Sequence, residues 1–563
     1  MLSVCNGDAI HSANRRARRS LQSSSSRAKF QIITCIDDRE ESFRRHLEEV
    51  EPRCETFGAV GFFAVAMYYR GSAEAHFRPL CPINIVPKHY VCEEPSFSVE
   101  VESGKRSERR KLIGRFSHQV HSGSRTILGG VVTGLFGTLA TFPLVARVLA
   151  PHVTSRIRET IGGLVRPTAT ELHLERAGTN PGPEWESQGF STAEMAAIVV
   201  RILQDIGLVK DFSPIILFLG HGSSSLNNPH ESAYNCGACS GGRGGPNARA
   251  FASMANDPRV RELVAKAGIH IPEEVQFIGG YHNTCNDRVD YHDLDKLPWK
   301  LRPLFRDIQA NIDEARARNA HERVRRFESA RFGLTPAEAL KHAEERSEDL
   351  SQARPEYNHA TNALCFVGQR EWSRGLFLDR RAFLTSYDPS IDDDTGKIVE
   401  RILQAAIPVC GGISLEYYFS TVDPEGYGCG SKLPHNITAL AGVMTGAASD
   451  LRPGLSAQMV EIHEPLRILF VVQTTPQIMN RIVQANEAIR TLVEGEWVQL
   501  ALLDAANSQI MLYCKGEFKP YVLQNDQLQE FNASADIYRA ERRHLPFSTV
   551  METAVADIAE VKS

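Results

Sequence analysis

The chain has 563 residues, 23% of them charged, and a formal net charge of -5. That length holds three or four average domains or two large ones with insertions, and so weak an overall field gives no case for a nucleic-acid or polyanionic partner. Twelve cysteines, irregularly spaced with no cleavable apolar leader, favour reduced cytoplasmic thiols over a secreted disulfide framework.

Residues 1–29, including "NRRARRSLQSSSSRAKF", read as a flexible basic tail; no apolar h-region follows Arg15 and Arg16. The apolar run "FQIITCID" then predicts a buried parallel strand leading into the helical pattern "EESFRRHLEEV". Further on, "GKRSERRKLIGR" precedes an uncharged stretch, Thr126 to Ala146, just long enough to cross a bilayer. Its glycines and Pro143 favour a buried or surface-docked helix pair over a span, with contact to a membrane subunit as a third reading. Two more runs, "SPIILFLGHG" and "VQFIGGYHN", read as buried strands, and "GPNARAFASMANDPRVRELVAKAG" after the first of them is helical.

This alternation is an α/β signature with a parallel-sheet core. Ligands of such sheets gather at the carboxyl ends of the strands, where Cys35 and His221 fall. The first α/β domain is placed at 30–300, a charged, solvated helical connector at 301–355 and a second α/β domain at 356–563. Strands expected in the second domain are "TNALCFVG", "ISLEYYFST", "LRILFVVQ" and "WVQLALLDA". No G-x-x-x-x-G-K-[ST] loop is present, since Lys432 in "GYGCGSKLPHN" follows Ser431, so no nucleotide partner is expected.

The chemistry concentrates at two strand ends. In "CIDDRE", alternation along an extended strand would point Cys35, Asp37 and Arg39 the same way and turn Ile36 and Asp38 back. A thiolate and a carboxylate two residues apart can reach one tetrahedral zinc. Arg39 can fork onto Asp37, holding it ionised and competing with the metal for its oxygens. The second cluster, "GHGSSSLNNPHESAYNCGACSGGRGGPNARA", contains His221, Cys236 and Cys239. Spacing alone leaves His230, the pair in "CGAC", and His282 with Cys285 in "HNTC" as competing ligands.

C-x-D-x-R followed by separate His and Cys ligands resembles the β-class carbonic anhydrases. The wider set is similar to the DabA family, the zinc subunit of an inorganic carbon transporter. It includes "CIDDREESFRRHLE", "ETFGAVGFFAVAMYYRG", the "GHGSSS" segment, "RPEYN", "SYDPSIDD", "HEPLRILFVV" and "YFSTVDPEGYGCGSKLPHNITALAGVMTGAASDLRPGLSAQMVE". The resemblance implies a β-carbonic-anhydrase-like core in the first domain. It implies Zn²⁺ held by Cys35, Asp37, His221 and Cys236, with Arg39 as partner of Asp37 and Cys239 as a supporting cysteine. Two thiolates, a carboxylate and the cation sum to -1, which Arg39 neutralises. A four-ligand site is closed; moving Asp37 onto Arg39 opens it to water, and CO₂ becomes bicarbonate.

His230, Glu231 and Asp38 are the proton-acceptor candidates. The resemblance also implies a DabB-like, proton-translocating membrane subunit akin to those of respiratory complex I. It places the chain peripherally on the cytoplasmic side of the cell inner membrane. It further implies a long region ahead of the first motif, where this sequence has about 30 residues. Competing readings are a free-standing β-carbonic-anhydrase-like hydratase, a structural zinc or interaction protein with a permanently closed site, and a Ser223 hydrolase, against which the absence of a G-x-S-x-G elbow counts. Pro434, His435, Asn436 and His463 are expected to make structural hydrogen bonds within loops, and "FGAVGFFAVAMYY" to form either core or an apolar CO₂ approach.

Overall fold

The computed structural model describes residues 27–123, 126–151, 153–154, 157, 169–228, 231–352, 356–359, 361–428, 454–504, 509–521 and 528–550. Most of the basic tail, His230, Lys432, Pro434, His435 and Asn436 therefore lie outside the described residues.

The first sheet is built from β1 (Phe30–Cys35), β2 (Cys54–Ala59), β3 (Ile215–Gly222), β4 (Gln276–Asn283) and β5 (Arg288–Tyr291). Their spatial order is β2-β1-β3-β4-β5, parallel except for the antiparallel edge strand β5. Every residue of β1 and β3 is buried, as expected for central parallel strands covered on both faces. Helix α1 (Arg39–Val50) follows β1 directly. Helices α2 (Glu100–Gly123) and α3 (Ile127–Leu149) come next, and α4 (Gly245–Asn256) begins beyond the loop that leaves β3.

The segment expected as a connector forms α5 (Arg302–Val324) and α6 (Pro336–Glu348), the latter opened by a Thr335/Glu338 capping box. It is not merely solvated. Helix α5 buries Phe305, Ile308, Ile312 and, among its charged groups, Glu322 and Arg323.

The second sheet comprises β6 (Leu364–Gly368), β7 (Ala382–Ser386), β8 (Leu469–Val472), β9 (Gln499–Asp504), β10 (Gln509–Cys514) and β11 (Glu517–Pro520), in the order β7-β6-β8-β9-β10-β11. Strands β7, β6, β8 and β9 are parallel, and a meander of β10 and β11 closes the edge. The chain is therefore α/β with mixed sheets. One expected strand is absent: "ISLEYYFST" lies inside α7 (Lys397–Val422). Its β-branched and aromatic residues suggest a strand, but the buried positions Ile402, Ala406, Cys410, Ser414 and Tyr417 step by three or four and continue the helical face begun upstream. Helix α7 is long and apolar enough to cross a membrane by length and composition, yet half of its apolar window is buried in the protein.

The two sheets share one hydrophobic cluster, which takes Ile33 and Phe218 from the first and Phe470 and Leu403 from the second half. Their edges also meet directly. Leu384 N donates to the Ile36 carbonyl at 3.0 Å, Arg44 donates to the Leu384 carbonyl at 3.0 Å, and Gly58 N donates to Ser386 Oγ at 3.0 Å.

Helix α1 sits at this junction, buried from Arg39 to Glu48 despite its charge. Each of these charges has a partner. Arg45 reaches Glu41 at 2.9 Å and both Glu322 oxygens at 2.9 and 3.0 Å. His46 lies 2.8 Å from Glu322, Arg370 forks onto Glu48 at 2.9 and 2.8 Å, and Glu40 lies 2.8 Å from His282. Burial alone would raise the carboxyls, but Arg45 and His46 hold Glu322, and Arg370 holds Glu48, down to about 2. Burial would lower His282, but Glu40 and Asp287 hold it up at about 9.

A stability profile follows from these directions. The two depressed carboxylates stabilise the fold above their ordinary value of about 4.5, and that contribution is lost as pH falls towards about 2. The raised histidine stabilises it fully below about 6.5, and that contribution is lost as pH rises through about 9. The melting temperature, followed by circular dichroism from acid to alkali, is expected to peak between about pH 4.5 and 6.5 and to fall on both sides.

Candidate metal centre

Strand β1 stops pairing at Cys35, opposite Ala59. The sequence reading of an extended C-x-D-x-R is therefore corrected: the chain turns at Asp37, whose Oδ1 accepts from Arg39 N at 3.0 Å, and α1 starts there. A side-chain turn of this kind satisfies one of the free N–H groups of the helix start. Asp37 and Asp38 therefore do not turn to opposite faces as strand alternation would have it; a carboxylate oxygen of each lies within 4.8 Å of the other. Asp38 accepts from His359 at 2.6 Å.

His221 is carried by β3, the neighbour of β1. Cys236 lies on the loop that follows, which is closed by a Cys236–Gly242 bridge and by Cys239 N donating to the Cys236 carbonyl at 3.0 Å. Asn235 Oδ1 ties this loop back to the strand end, accepting from Ser223 N at 2.8 Å. The loop also passes across β3 at Gly220, where a Cβ would collide with the Gly244 backbone.

These elements bring Cys35, His221 and Cys236 together, all buried, with their ligand atoms within 4.8 Å of one another. Gly61 closes the space beside them: a Cβ there would lie 2.7 Å from Cys236 Sγ and 2.8 Å from Cys35 Sγ. Gly61→Ala is expected to overpack this point and cost about 1–3 kcal/mol, read as a lowered urea midpoint. Burial and the neighbouring Cys236 raise Cys35 well above the ordinary thiol range.

Asp37 stands next to this triad in a different grip. Arg39 forks onto it, Nε to Oδ1 at 2.8 Å and a terminal nitrogen to Oδ2 at 3.0 Å. His221 Nε2 is 3.2 Å and His359 Nε2 3.9 Å from the same Oδ2. Burial would raise Asp37, but Arg39, His221 and His359 together hold it well below the usual carboxylate range. Asp37, Asp38 and His359 form a second group whose ligand atoms lie within 4.8 Å of one another. Burial would lower His221, but Asp37 and Cys35 hold it up at about 10.

Arg39 is itself oriented from three sides. It donates to Glu356 at 2.7 Å, to the Tyr234 carbonyl at 2.5 Å and to Thr284 Oγ1 at 3.4 Å. Glu356, His359, Thr284 and Gly61 had no assigned role in the sequence reading. Two signals for them were present: Glu356 lies in "RPEYN" and Gly61 in "ETFGAVGFFAVAMYYRG".

Two of the competing ligands, His282 and Cys285, are engaged elsewhere. His282 Nδ1 is engaged by Glu40, and its Nε2 lies 3.6 Å from Asp287. Cys285 is buried, its carbonyl accepting from Arg323 at 3.0 Å. Neither belongs to a metal-competent cluster among the described residues. Cys239 is buried 3.9 Å from Asn247 Oδ1. Glu231 pairs with exposed Arg243 at 2.8 Å. His463 is buried against the Tyr417 ring, with ring centres 5.2 Å apart.

Two thiols and an imidazole at adjoining strand ends, beside a forked carboxylate and guanidinium, define an α/β protein with a candidate metal centre. The chain belongs to the DabA family: the family model described as "Probable inorganic carbon transporter subunit DabA" matches residues 7–498. It is 65% identical over 548 residues to a protein of Rhodopirellula baltica named probable inorganic carbon transporter subunit DabA 2, covering 97% of this chain and 51% of that protein. A Sorangium cellulosum protein of the same name is 46% identical over 93% of this chain and 51% of its own length. The Azotobacter vinelandii relative, named as a probable DabA subunit, is 39% identical over 92% of this chain and 59% of its own length. The chain thus spans about half the length of the first two of these curated relatives. No solved structure matches it.

Proposed function

We propose that this chain carries the zinc centre of an inorganic carbon transporter subunit, converting CO₂ to bicarbonate only when coupled to a membrane partner. The observation that supports this reading most is the convergence of Cys35, His221 and Cys236 within 4.8 Å. The donor set suits zinc, which takes thiolate and imidazole ligands in a tetrahedral site. Two local features fit the ion: His221 Nδ1 is buried without a hydrogen-bond partner, and Gly61 leaves room between the sulfurs that a methyl group would fill. Cys35, His221 and Cys236 would hold the metal, with Asp37 as the fourth, exchangeable ligand. The first-domain sheet then plays the part of a β-carbonic-anhydrase-like core.

When bound, zinc supplies a Lewis acid that lowers the pKa of water towards neutrality. The protein's own residues supply control. Arg39 engages both oxygens of Asp37 beside the donor triad and is in turn held by Glu356, so the grip on Asp37 depends on where the second half of the chain stands. His359, hydrogen-bonded to Asp38 and facing Asp37, is placed to take or return a proton. The buried surroundings keep these charges strongly coupled. A DabB-like proton-translocating membrane subunit would bias Asp37 between its two partners, with the chain lying peripherally on the cytoplasmic face of the inner membrane.

The test is stopped-flow CO₂ hydration by zinc-loaded protein, with and without the co-expressed membrane subunit, beside Asp37→Ala. No hydration above the uncatalysed rate by the chain alone, carbon uptake only in the complex, and an Asp37→Ala variant that retains zinc but loses uptake are expected. Fast, reversible hydration by the chain alone would replace this reading with a free-standing hydratase. Zinc without activity in any combination would leave a structural site.

A further inference from the structure

More than half of the exposed large apolar side chains among the described residues fall between Val101 and Ile157, on and just beyond the helix pair α2 and α3. In α3 they include Val131, Phe142 and Leu149, the last two 71% and 79% exposed. The only formal charge along α3 is Arg147, in its last turn. Thr126 caps the helix by accepting from Gly129 N at 3.1 Å, so the apolar run begins at a defined end. A helix apolar around most of its surface does not remain in water without something to cover it.

The preceding helix indicates what covers it. Helix α2 carries Lys105, Arg109, Lys111 and Arg115, with Glu108 as the sole acidic residue from 104 to 123. Exposed Leu112, Ile113 and Phe116 are interleaved with these cations. Cations alternating with exposed apolar side chains on one helix, beside a helix of 23 residues whose single charge is Arg147, match the layered chemistry of a bilayer surface: anionic headgroups above, acyl chains below. An apolar protein groove would meet α3 but would offer nothing to the basic excess of α2, where the one acidic residue from 104 to 123, Glu108, is already paired with Lys111 at 2.8 Å.

We infer that α2 and α3 form a membrane-docking arm that binds anionic lipid, α3 seated at the headgroup and acyl boundary and the basic residues of α2 on the headgroups. The inference is independent of the metal centre and stands whether or not zinc binds. It assigns to the chain itself an attachment separate from any protein partner.

The test is flotation of the full chain with vesicles of phosphatidylcholine alone or with roughly 30 mol % phosphatidylglycerol, at low and raised salt. Two variants accompany it, Lys105→Glu/Arg109→Glu/Arg115→Glu and Val131→Ser/Phe142→Ser/Leu149→Ser, each checked for unchanged melting. The unaltered chain is expected to float with the anionic vesicles and to be released by salt. Each basic residue near the surface is worth roughly five-fold in binding, so the charge variant should bind on the order of 100-fold more weakly. The serine variant should lose the binding that persists at raised salt. Three results would overturn the proposal: no preference for anionic vesicles, binding unchanged in both variants, or binding only to vesicles that also carry a membrane protein. Self-association abolished by the serine substitutions, without lipid binding, would likewise give the face to a second copy.

Discussion

On the proposed zinc assignment, Cys236→Ala protein purified with an unchanged melting temperature is expected to bind under about a tenth of a zinc ion per chain, against about one for the unaltered chain, by plasma emission analysis. Groups that only support a metal ligand cost 10- to 100-fold in affinity when removed, so deletion of a ligand itself should exceed roughly 100-fold. Cys35→Ser and His221→Ala should behave alike, because the three ligand atoms share one 4.8 Å cluster. The discriminating control is Cys285→Ser. Cys285 lies outside that cluster, so this variant should retain metal. Retention by Cys236→Ala together with loss in Cys285→Ser would move the centre to the "HNTC" segment.

The second large effect is thermodynamic. Glu322→Ala removes the carboxylate that serves Arg45 and His46 simultaneously, each of the three side chains being about 1% exposed. Arg45 keeps its pair with Glu41 at 2.9 Å, but breaking a buried ion pair by removing one partner still costs about 3–5 kcal/mol. The loss should appear as a lower denaturant midpoint with an unchanged slope. Replacing Glu322 and Arg45 together with apolar residues of similar volume should restore part of it, since a buried ion pair gains little over good apolar packing. If Glu322→Ala cost less than about 1 kcal/mol, α1 would be held by its apolar residues rather than by its ionic network.

The strands that carry the candidate centre are legible in the sequence because their signal is local. The runs at Phe30–Cys35, Ile215–Gly222 and Gln276–Asn283 are short, mostly apolar and free of charged residues, and turn residues end them. Helix α1 was legible as a helix but not as a buried one, since a charged face reads as solvated until its counter-charges are known. Those partners, Glu322 and Arg370, lie more than 270 residues along the chain. His359 was illegible as a site residue for the same reason, and Glu356 was marked only by its place in "RPEYN": no spacing links positions 356 and 359 to Arg39 and Asp38. In "ISLEYYFST" local preference and tertiary context disagree, and the buried face of α7 prevails. The ligand set itself came from a resemblance, because spacing left His230, Cys239, His282 and Cys285 in contention.

The hydrogen bond from Leu384 to the Ile36 carbonyl has a mechanical meaning. Ile36 is the single residue between Cys35 and Asp37, so the second sheet is stitched to the chain midway between a thiol and the carboxylate beside it. A shear of the two halves by the length of one such bond would not dissipate in a flexible tether. It would pull on the backbone that sets the separation of those two side chains, making the far sheet a lever whose short arm is one peptide long.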